Sequence, residues 1–228
     1  MEKNKKERLL SGWLGKIESR LAELILERGQ FEHYRNKETI YGFDEKQTCI
    51  RGIASGHVQM WVAMNEQAPQ FGHLAGQGFW FGETEVVTGQ KGIMEMMALG
   101  DVEVFALSRT QIDEIAKMHP GMWPSMTLLA VLNQGLAIGV AEDLMLKTSS
   151  KRLAATLLRL SAQRNAYQDV PLINPIPVSW AELSDAANLS RTIVAKTLAE
   201  FSEQGLVCTS QRTIDIRDAN GLAHLLEK

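Results

Sequence analysis

The sequence predicts an α+β protein in which a β-rich segment lies between helical segments. Three observations support this fold class. Short runs rich in β-branched and aromatic residues, separated by glycines, extend from about Thr39 to Leu107. A stretch without any charged residue follows, from Met122 to Ala141. Further along, Ser179 and Ser190 each precede a helical pattern, and two short β-type runs come after them.

The N-terminal part is predicted to be an amphipathic helical segment that ends near Gly29. Its apolar positions are Leu10, Trp13, Leu14, Ile17, Leu21 and Leu24. The β-rich segment has turn signals at intervals of roughly 8–12 residues, which indicates a small barrel or sandwich. Ser108 then precedes a helical stretch, and His119-Pro120 ends it.

The uncharged stretch predicts a long helix, for which two environments are possible. By length alone it is a candidate membrane span, but it contains polar residues and no Lys/Arg cluster flanks it closely. An apolar seam recurs in steps of three and four at Met126, Leu129, Leu132, Leu136 and Val140. We therefore expect that this helix packs against a second copy of the chain and does not cross a membrane. Lys147 to Arg152 is the expected hinge after it.

Composition excludes several classes of protein. The 228 residues are 45% hydrophobic and 22% charged, which excludes a chain disordered over its whole length. Two distant cysteines, Cys49 and Cys208, exclude a disulfide framework, a four-cysteine zinc site and a self-contained iron–sulfur cluster. The N-terminus lacks a secretory signal, so a reduced, cytoplasmic protein is expected. The net charge is −3, but residues 151–228 hold 9 Lys+Arg against 8 Asp+Glu.

The C-terminal segment predicts two helices, a tight turn and a hairpin. Ser179 and Glu182 have capping-box spacing and open a helix from Trp180 to about Ala187. Asn188 suits the left-handed turn, and Ser190 can cap the second helix. On that helix Val194, Leu198 and Phe201 should face the core, whereas Arg191, Thr192, Ala195, Lys196 and Ala199 should face outward. Two β-type runs, 206–208 and 213–216, flank a tip at residues 209–212.

This order is that of a winged helix-turn-helix, which indicates DNA binding. The helix capped by Ser190 would enter the major groove, with Arg191 able to donate two hydrogen bonds to guanine. Ser179, Ser190 and Arg212 would contact phosphates and set the register. The alternative is a helical hairpin whose charged face is simply solvated.

Three motifs resemble those of the cyclic-AMP receptor protein / fumarate–nitrate regulator (CRP/FNR) family of bacterial transcription factors. Residues 76–83 read GQGFWFGE, residues 156–160 read TLLRL and residues 189–196 read LSRTIVAK. The resemblance implies a cyclic-nucleotide-binding-like β-roll with its N-terminal helix over residues 1–118. It also implies a dimerisation helix and hinge over 119–150 and a winged-helix DNA-binding domain over 151–228.

The resemblance also implies partners and DNA-contacting residues. The partners are double-stranded DNA, a second copy of the chain and RNA polymerase. By this resemblance, Arg191 and Lys196 are expected to contact DNA bases or the adjacent DNA backbone. Thr192 stands where the family often has glutamate, and because threonine bonds weakly to several bases, we expect an operator that differs at that position.

At the effector pocket that the resemblance implies, this chain differs from the cyclic-AMP-binding members of the family. The expected pocket residues are Phe81, Gly82, Glu83, Gly92, Ile93, Ala137 and Ile138. Gly92 and Ile93 stand where cyclic-AMP binders have an Arg-Ser pair, and Ala137 and Ile138 replace the polar pair expected at adenine. A cyclic phosphate would lack its charge-assisted partner, so we expect no tight cyclic-AMP binding. Lys91 is a weak substitute for the missing arginine, because its ammonium is a point charge on a flexible side chain.

The sequence does not identify the effector or cofactor. Haem on His57, His73 or Cys49, an apolar pocket around Met94, Met96 and Met97, and an effectorless scaffold all stay open. The predicted function is a homodimeric, sequence-specific transcriptional regulator without catalytic residues or a metal site. The alternatives are an interaction or oligomerisation module and, less favoured, a metal-dependent β-barrel enzyme, because the five histidines are scattered.

Overall fold

The computed structural model describes residues 2–63, 68–164, 169–210 and 212–227. The chain forms two compact units. The first unit comprises Met1–Gln67, Leu74–Gly135 and Tyr167–Pro171, and the second comprises Ala68–His73, Leu136–Ala166 and Leu172–Lys228. The α+β fold class is confirmed, and the predicted three-part division at residues 118 and 150 stays a prediction.

The first unit begins with three short helical pieces where the sequence predicted one amphipathic segment. They are α1 (Glu2–Arg8), a 3-10 turn (Leu14–Lys16) and α2 (Ser19–Arg28). Gly12 has a φ of +68°, a left-handed conformation that a continuous right-handed helix cannot contain. Ile17 is extended and separates the second piece from the third. The predicted end at Gly29 is confirmed.

A six-stranded sheet forms the β-rich part, and its β1–β6, β2–β6, β3–β5 and β3–β6 pairs are antiparallel. Its strands are β1 (Gln30–Tyr34), β2 (Thr39–Tyr41), β3 (Cys49–Val62), β4 (Gln70–Ala75), β5 (Trp80–Phe81) and β6 (Met94–Ser108). The order is β1-β6-β3-β4, while β2 pairs with β6 and β5 with β3. The sequence missed β1, whose QFEHY segment is largely polar. It also missed α3 (Glu83–Thr88), which lies between β5 and β6.

Two helices follow the sheet. Ser108 caps α4 (Arg109–Met118): its Oγ accepts from the Gln111 N–H at 3.3 Å, and Gln111 Oε1 accepts from the Ser108 N–H at 2.8 Å. The uncharged stretch from Met122 to Ala141 forms most of α5 (Met122–Met145), whose last turn also contains Glu142 and Asp143. By length and composition α5 could cross a membrane, and 33% of its apolar window is buried within the described part of the chain. The helix begins at Met122, as predicted, but continues to Met145, four residues past the predicted end of the stretch at Ala141.

Part of the seam predicted on α5 packs against the chain itself. Met126, Leu129 and Leu132 are 1%, 1% and 5% exposed and pack in the hydrophobic core of the first unit with Trp80 and Phe105. A different stripe is left exposed at four- and three-residue steps: Thr127, Val131, Gln134, Ile138, Ala141 and Met145. Since α5 is apolar on nearly all sides, its sequence did not distinguish the core face from the free face.

The second unit is mainly helical. Its remaining elements are α6 (Ser149–Leu160), α7 (Trp180–Ala187), α8 (Arg191–Glu203), β7 (Val207–Thr209), β8 (Ile214–Ile216) and α9 (Ala219–Glu227). Thr148 caps α6 by accepting from the Lys151 N–H at 3.3 Å. Leu153, Leu157, Leu183, Val194, Leu198, Phe201 and Leu222 are buried in this unit. The sequence did not predict α9.

Candidate nucleic-acid interface

The turn between α7 and α8 has the geometry that the sequence predicted. Ser179 Oγ accepts from the Glu182 N–H at 3.2 Å, and Glu182 Oε2 accepts from the Ser179 N–H at 2.6 Å. Asn188 ends α7 with φ 47° and ψ 54°, in the left-handed region. Ser184 Oγ donates to the Leu189 carbonyl and so ties the turn back to α7. Two helices therefore meet across a short, hydrogen-bonded turn.

The second helix, α8, has one buried and one exposed face. Val194, Leu198 and Phe201 are 0%, 1% and 1% exposed, so the predicted inward face is confirmed. Ser190 Oγ accepts from the Ile193 N–H at 3.3 Å and closes the first turn. Arg191, Thr192 and Lys196 are all exposed. The Lys196 ammonium lies 3.9 Å from the Glu200 carboxylate at a surface position, a weak pairing that leaves it available to another anion.

A two-stranded wing follows α8. Strands β7 and β8 pair antiparallel with Thr209 opposite Ile214, and Ser210 Oγ lies 2.7 Å from Thr213 Oγ1 at the tip. Arg212 is exposed at this tip, while the neighbouring Gln211 lies outside the described residues. Ile176 forms an additional bridge to Ile214, which the sequence did not predict. The wing thus presents a cation beside two hydroxyl groups.

In the first unit, Gly82 and Glu83 stand at the start of α3. Gly82 has a φ of +92°, and a Cβ there would lie 2.8 Å from the Cys49 carbonyl oxygen, so only glycine fits this turn. Phe81 is 2% and Glu83 6% exposed. Burial raises the pKa of the Glu83 carboxyl, and a hydrogen bond from Asn133 opposes that shift. Asn133 also donates to the Trp80 carbonyl at 3.1 Å.

Gly92 and Ile93 lie in the segment between α3 and β6. Ile93 is 73% exposed, and Gly92 has no side chain to offer a ligand. Lys91 is exposed, and its ammonium lies 4.0 Å from the Asp44 carboxylate. This segment therefore offers no guanidinium where the family resemblance places one.

Ala137 and Ile138, the other two predicted pocket residues, are exposed on α5 within the second unit. Neither side chain carries a polar group that could hydrogen-bond to a base. The described residues also contain no group of three or more His, Cys, Asp or Glu side chains suited to a metal ion.

Two sequence families match this chain. The Crp-like helix-turn-helix domain matches residues 151–225, which run from the first turn of α6 through the wing into α9. The cyclic nucleotide-binding domain matches residues 31–119, which include the sheet and α4. The chain belongs to the CRP/FNR family. It is a transcriptional regulator with a DNA-binding helix-turn-helix and not an enzyme.

Related proteins agree with this assignment. SdrP, a transcriptional regulator from Thermus thermophilus, is 29% identical over 156 residues, which cover 68% of this chain and 72% of SdrP. FixK2 from Bradyrhizobium japonicum shares the fold, with a TM-score of 0.72, 20% identity and coverage of 86% of this chain and 96% of FixK2. A CRP/FNR-family regulator from Thermus thermophilus has a TM-score of 0.67, 22% identity and coverage of 87% and 99%. CRP/FNR proteins are soluble transcription factors, which favours a non-membrane role for α5.

Sequence reasoning missed an arginine that supports the helix-turn-helix of this CRP/FNR regulator. Arg152 on α6 donates from Nη1 to the Asn188 carbonyl at 3.2 Å and from Nη2 to the Leu146 carbonyl at 3.1 Å. It therefore joins the turn before α8 to the segment that follows α5. Its partners are backbone carbonyls 6 and 36 residues away, and because any residue has such a carbonyl, no motif could have indicated the contact.

A buried ion cluster in the second unit was also missed. Asp143 is 0% exposed and accepts from Arg159 Nε at 2.8 Å and Arg164 Nε at 3.1 Å. Arg159 Nη1 donates to the Gly72 carbonyl at 3.3 Å and lies 3.3 Å from His73 Nδ1. Burial, aided by the Arg159 charge, lowers the pKa of His73 to about 3. This cluster fixes the end of α5 to α6.

Proposed function

We propose that this CRP/FNR regulator is a cytoplasmic homodimer that binds a near-palindromic operator and does not respond to cyclic AMP. The observation that carries the proposal is the two-faced α8. Three apolar residues fix it to its unit, while Arg191, Thr192 and Lys196 are free to contact a duplex. The organisation proposed is a sensor-type domain over 1–118, a dimer helix and hinge over 119–150, and a DNA-binding domain over 151–228.

The DNA contacts divide into two kinds. Arg191, in the first turn of α8, would read guanine through a bidentate pair, and Thr192 beside it would bond weakly to several bases. Ser179, Ser190 and Arg212 would contact phosphates, as would Lys196 where it does not reach a base. Phosphate contacts set affinity and salt dependence, whereas base contacts set sequence preference.

The exposed stripe of α5 supports dimerisation. Val131 and Ile138, two turns apart on one face, are each 49% exposed, and Met145 one heptad later is 80% exposed. Isolated exposed apolar residues are common, but their regular heptad spacing on a long helix is typical of a helix–helix seam. Two copies joined there would present two α8 helices to one duplex. A two-fold dimer binds half-sites about 34 Å apart, which explains the expected palindrome.

The pocket chemistry supports a regulator that ignores cyclic AMP. The phosphate-binding position has Gly92 and Ile93, so the strongest bond to the cyclic phosphate is lacking. Glu83 is already hydrogen-bonded by Asn133. RNA polymerase is the proposed protein partner, on the family resemblance alone.

The test of DNA binding uses a duplex that the full-length protein selects from a random library. Arg191→Ala should weaken binding to that duplex by about 10-fold or more and relax the base preference at one position of each half-site. Lys117→Ala, an exposed cation on α4 in the first unit, is the matched control and should bind as the wild type does. Failure to select any duplex, or equal affinity of Arg191→Ala and wild type, would contradict the proposal.

The dimer is tested by sedimentation. Ile138→Asp should yield monomers at concentrations where the wild type is a dimer, because a carboxylate would be buried without a partner. Val87→Asp, at a position that is 48% exposed on α3, should leave the dimer intact. A wild-type monomer would contradict the proposal.

Titration calorimetry tests the effector. The wild type should show no micromolar binding of cyclic AMP. Gly92→Arg combined with Ile93→Ser should gain binding, because the arginine would supply the charge-assisted partner that the cyclic phosphate lacks. A Cβ on Gly92 would have its nearest neighbours at 3.5 Å, so the new side chain fits without strain. Micromolar binding by the wild type would refute this part of the proposal.

A further inference from the structure

One apolar side chain stands among the polar residues of the exposed α8 surface. Ile193 is 41% exposed, although it lies between Thr192 and the fully buried Val194. Successive residues on an α-helix are rotated by about 100°, so Ile193 cannot join the buried face that Val194, Leu198 and Phe201 form. Its exposure is therefore a property of its helical position.

The position of Ile193 is the one from which a groove-reading helix contacts bases. Its N–H donates to the Ser190 cap at 3.3 Å, which places it at the third residue of the first turn. The N-terminal residues of a recognition helix are those that reach base edges. Lys196, three residues later, is its neighbour on the same flank.

The chemistry of this side chain selects its target. Isoleucine can neither donate nor accept a hydrogen bond, so it cannot read the polar edges of guanine, cytosine or adenine. Thymine alone offers an apolar group in the major groove, its C5-methyl. A β-branched side chain has one strongly preferred rotamer in a helix, so ordering Ile193 against a methyl group costs little entropy.

We propose that Ile193 is a specificity-determining residue that packs on a thymine C5-methyl in each half-site. The inference rests on the proposed DNA-binding function and deepens it. It predicts a thymine close to the guanine contacted by Arg191. Because Ile193 adds no charge, it contributes to sequence preference without changing the salt dependence of binding.

The test removes the methyl group from the DNA and the side chain from the protein. In the duplex selected by the full-length protein, each thymine is replaced in turn by deoxyuridine, which lacks only the C5-methyl. One position per half-site should weaken wild-type binding by about fourfold, the value of one buried methyl-sized group. Ile193→Ala should bind the thymine duplex less well and should no longer distinguish thymine from uracil at that position.

Controls separate this inference from the proposed function. Val87→Ala, at an exposed apolar position in the first unit, should keep the full uracil sensitivity. If no thymine is sensitive, or if Ile193→Ala keeps the sensitivity, the methyl contact is refuted while Arg191→Ala still impairs binding. If Ile193→Ala lowers the affinity for the thymine duplex and for the uracil duplex by the same factor relative to wild type, the role of Ile193 is structural and the inference also fails. Loss of the Arg191 effect would instead refute DNA binding itself.

Discussion

Asp143→Asn tests whether the buried ion cluster holds the end of α5 to α6. The substitution keeps the shape of the side chain and removes its charge. In the wild type both carboxylate oxygens are used, Oδ2 by Arg159 and Oδ1 by Arg164. An amide offers a single oxygen and no charge, so the Arg159 guanidinium loses its anionic partner.

The exposure of the partners determines the magnitude. The side chains of Asp143 and Arg159 are 0% and 2% exposed, so the variant leaves a buried cation unpaired, which costs about 3–5 kcal/mol. The neighbouring pair of Arg164 with Glu142 is 3.8 Å long, and the Glu142 side chain is 63% exposed. Breaking that surface pair costs less than about 1 kcal/mol. Glu142→Gln is therefore the matched control.

Urea unfolding followed by circular dichroism measures the difference, and hydrogen exchange of the α6 amides assigns it to the second unit. Asp143→Leu combined with Arg159→Met should regain part of the loss, because apolar residues can replace a buried pair at little cost. A loss for Asp143→Asn no greater than that for Glu142→Gln would refute the reasoning. Faster exchange in α6 should accompany the loss.

Three further predictions concern single side chains. His73 stays neutral in the fold down to about pH 3 but is protonated in the unfolded chain below its ordinary pKa of 6.5, so stability should fall by about 1.4 kcal/mol per pH unit below that value. His73→Gln should flatten this acid limb in urea titrations, and an unchanged slope would contradict the argument. Burial raises the pKa of the Glu83 carboxyl, so its contribution to stability is full below pH 4.5 and is lost as pH rises. Glu83→Gln should therefore stabilise the protein more at pH 7.5 than at pH 4.5. An equal gain at both pH values would contradict this. Asn188→Ala should cost about 1–2 kcal/mol of unfolding free energy because of its left-handed backbone, and Asn188→Gly much less; equal losses would contradict the argument.

The helix-turn-helix was predictable in detail because its signals are local. The cap at Ser179, the turn at Asn188 and the cap at Ser190 each act within three residues, and the structure confirms all three. The burial of Val194 and Leu198 follows from helical spacing alone. Sequence reasoning therefore identified the exposed face that carries Arg191.

The environment of α5 was less predictable. Its apolar residues surround the helix, and three of the five seam residues chosen from the sequence, Met126, Leu129 and Leu132, pack in the core of the first unit. Val131 and Ile138 are the exposed positions instead. Only the packing of the sheet against α5 determines which face stays free.

The sequence by itself determined the order of elements, the helix caps, the outward face of α8 and the family, because these depend on interactions between residues close along the chain. The tertiary structure alone decided the contacts made by Arg152, the cluster around Asp143 and the free face of α5. Those depend on which distant segments approach each other and on which charges become buried, and the free energy of a buried charge depends on partners that spacing along the chain does not reveal.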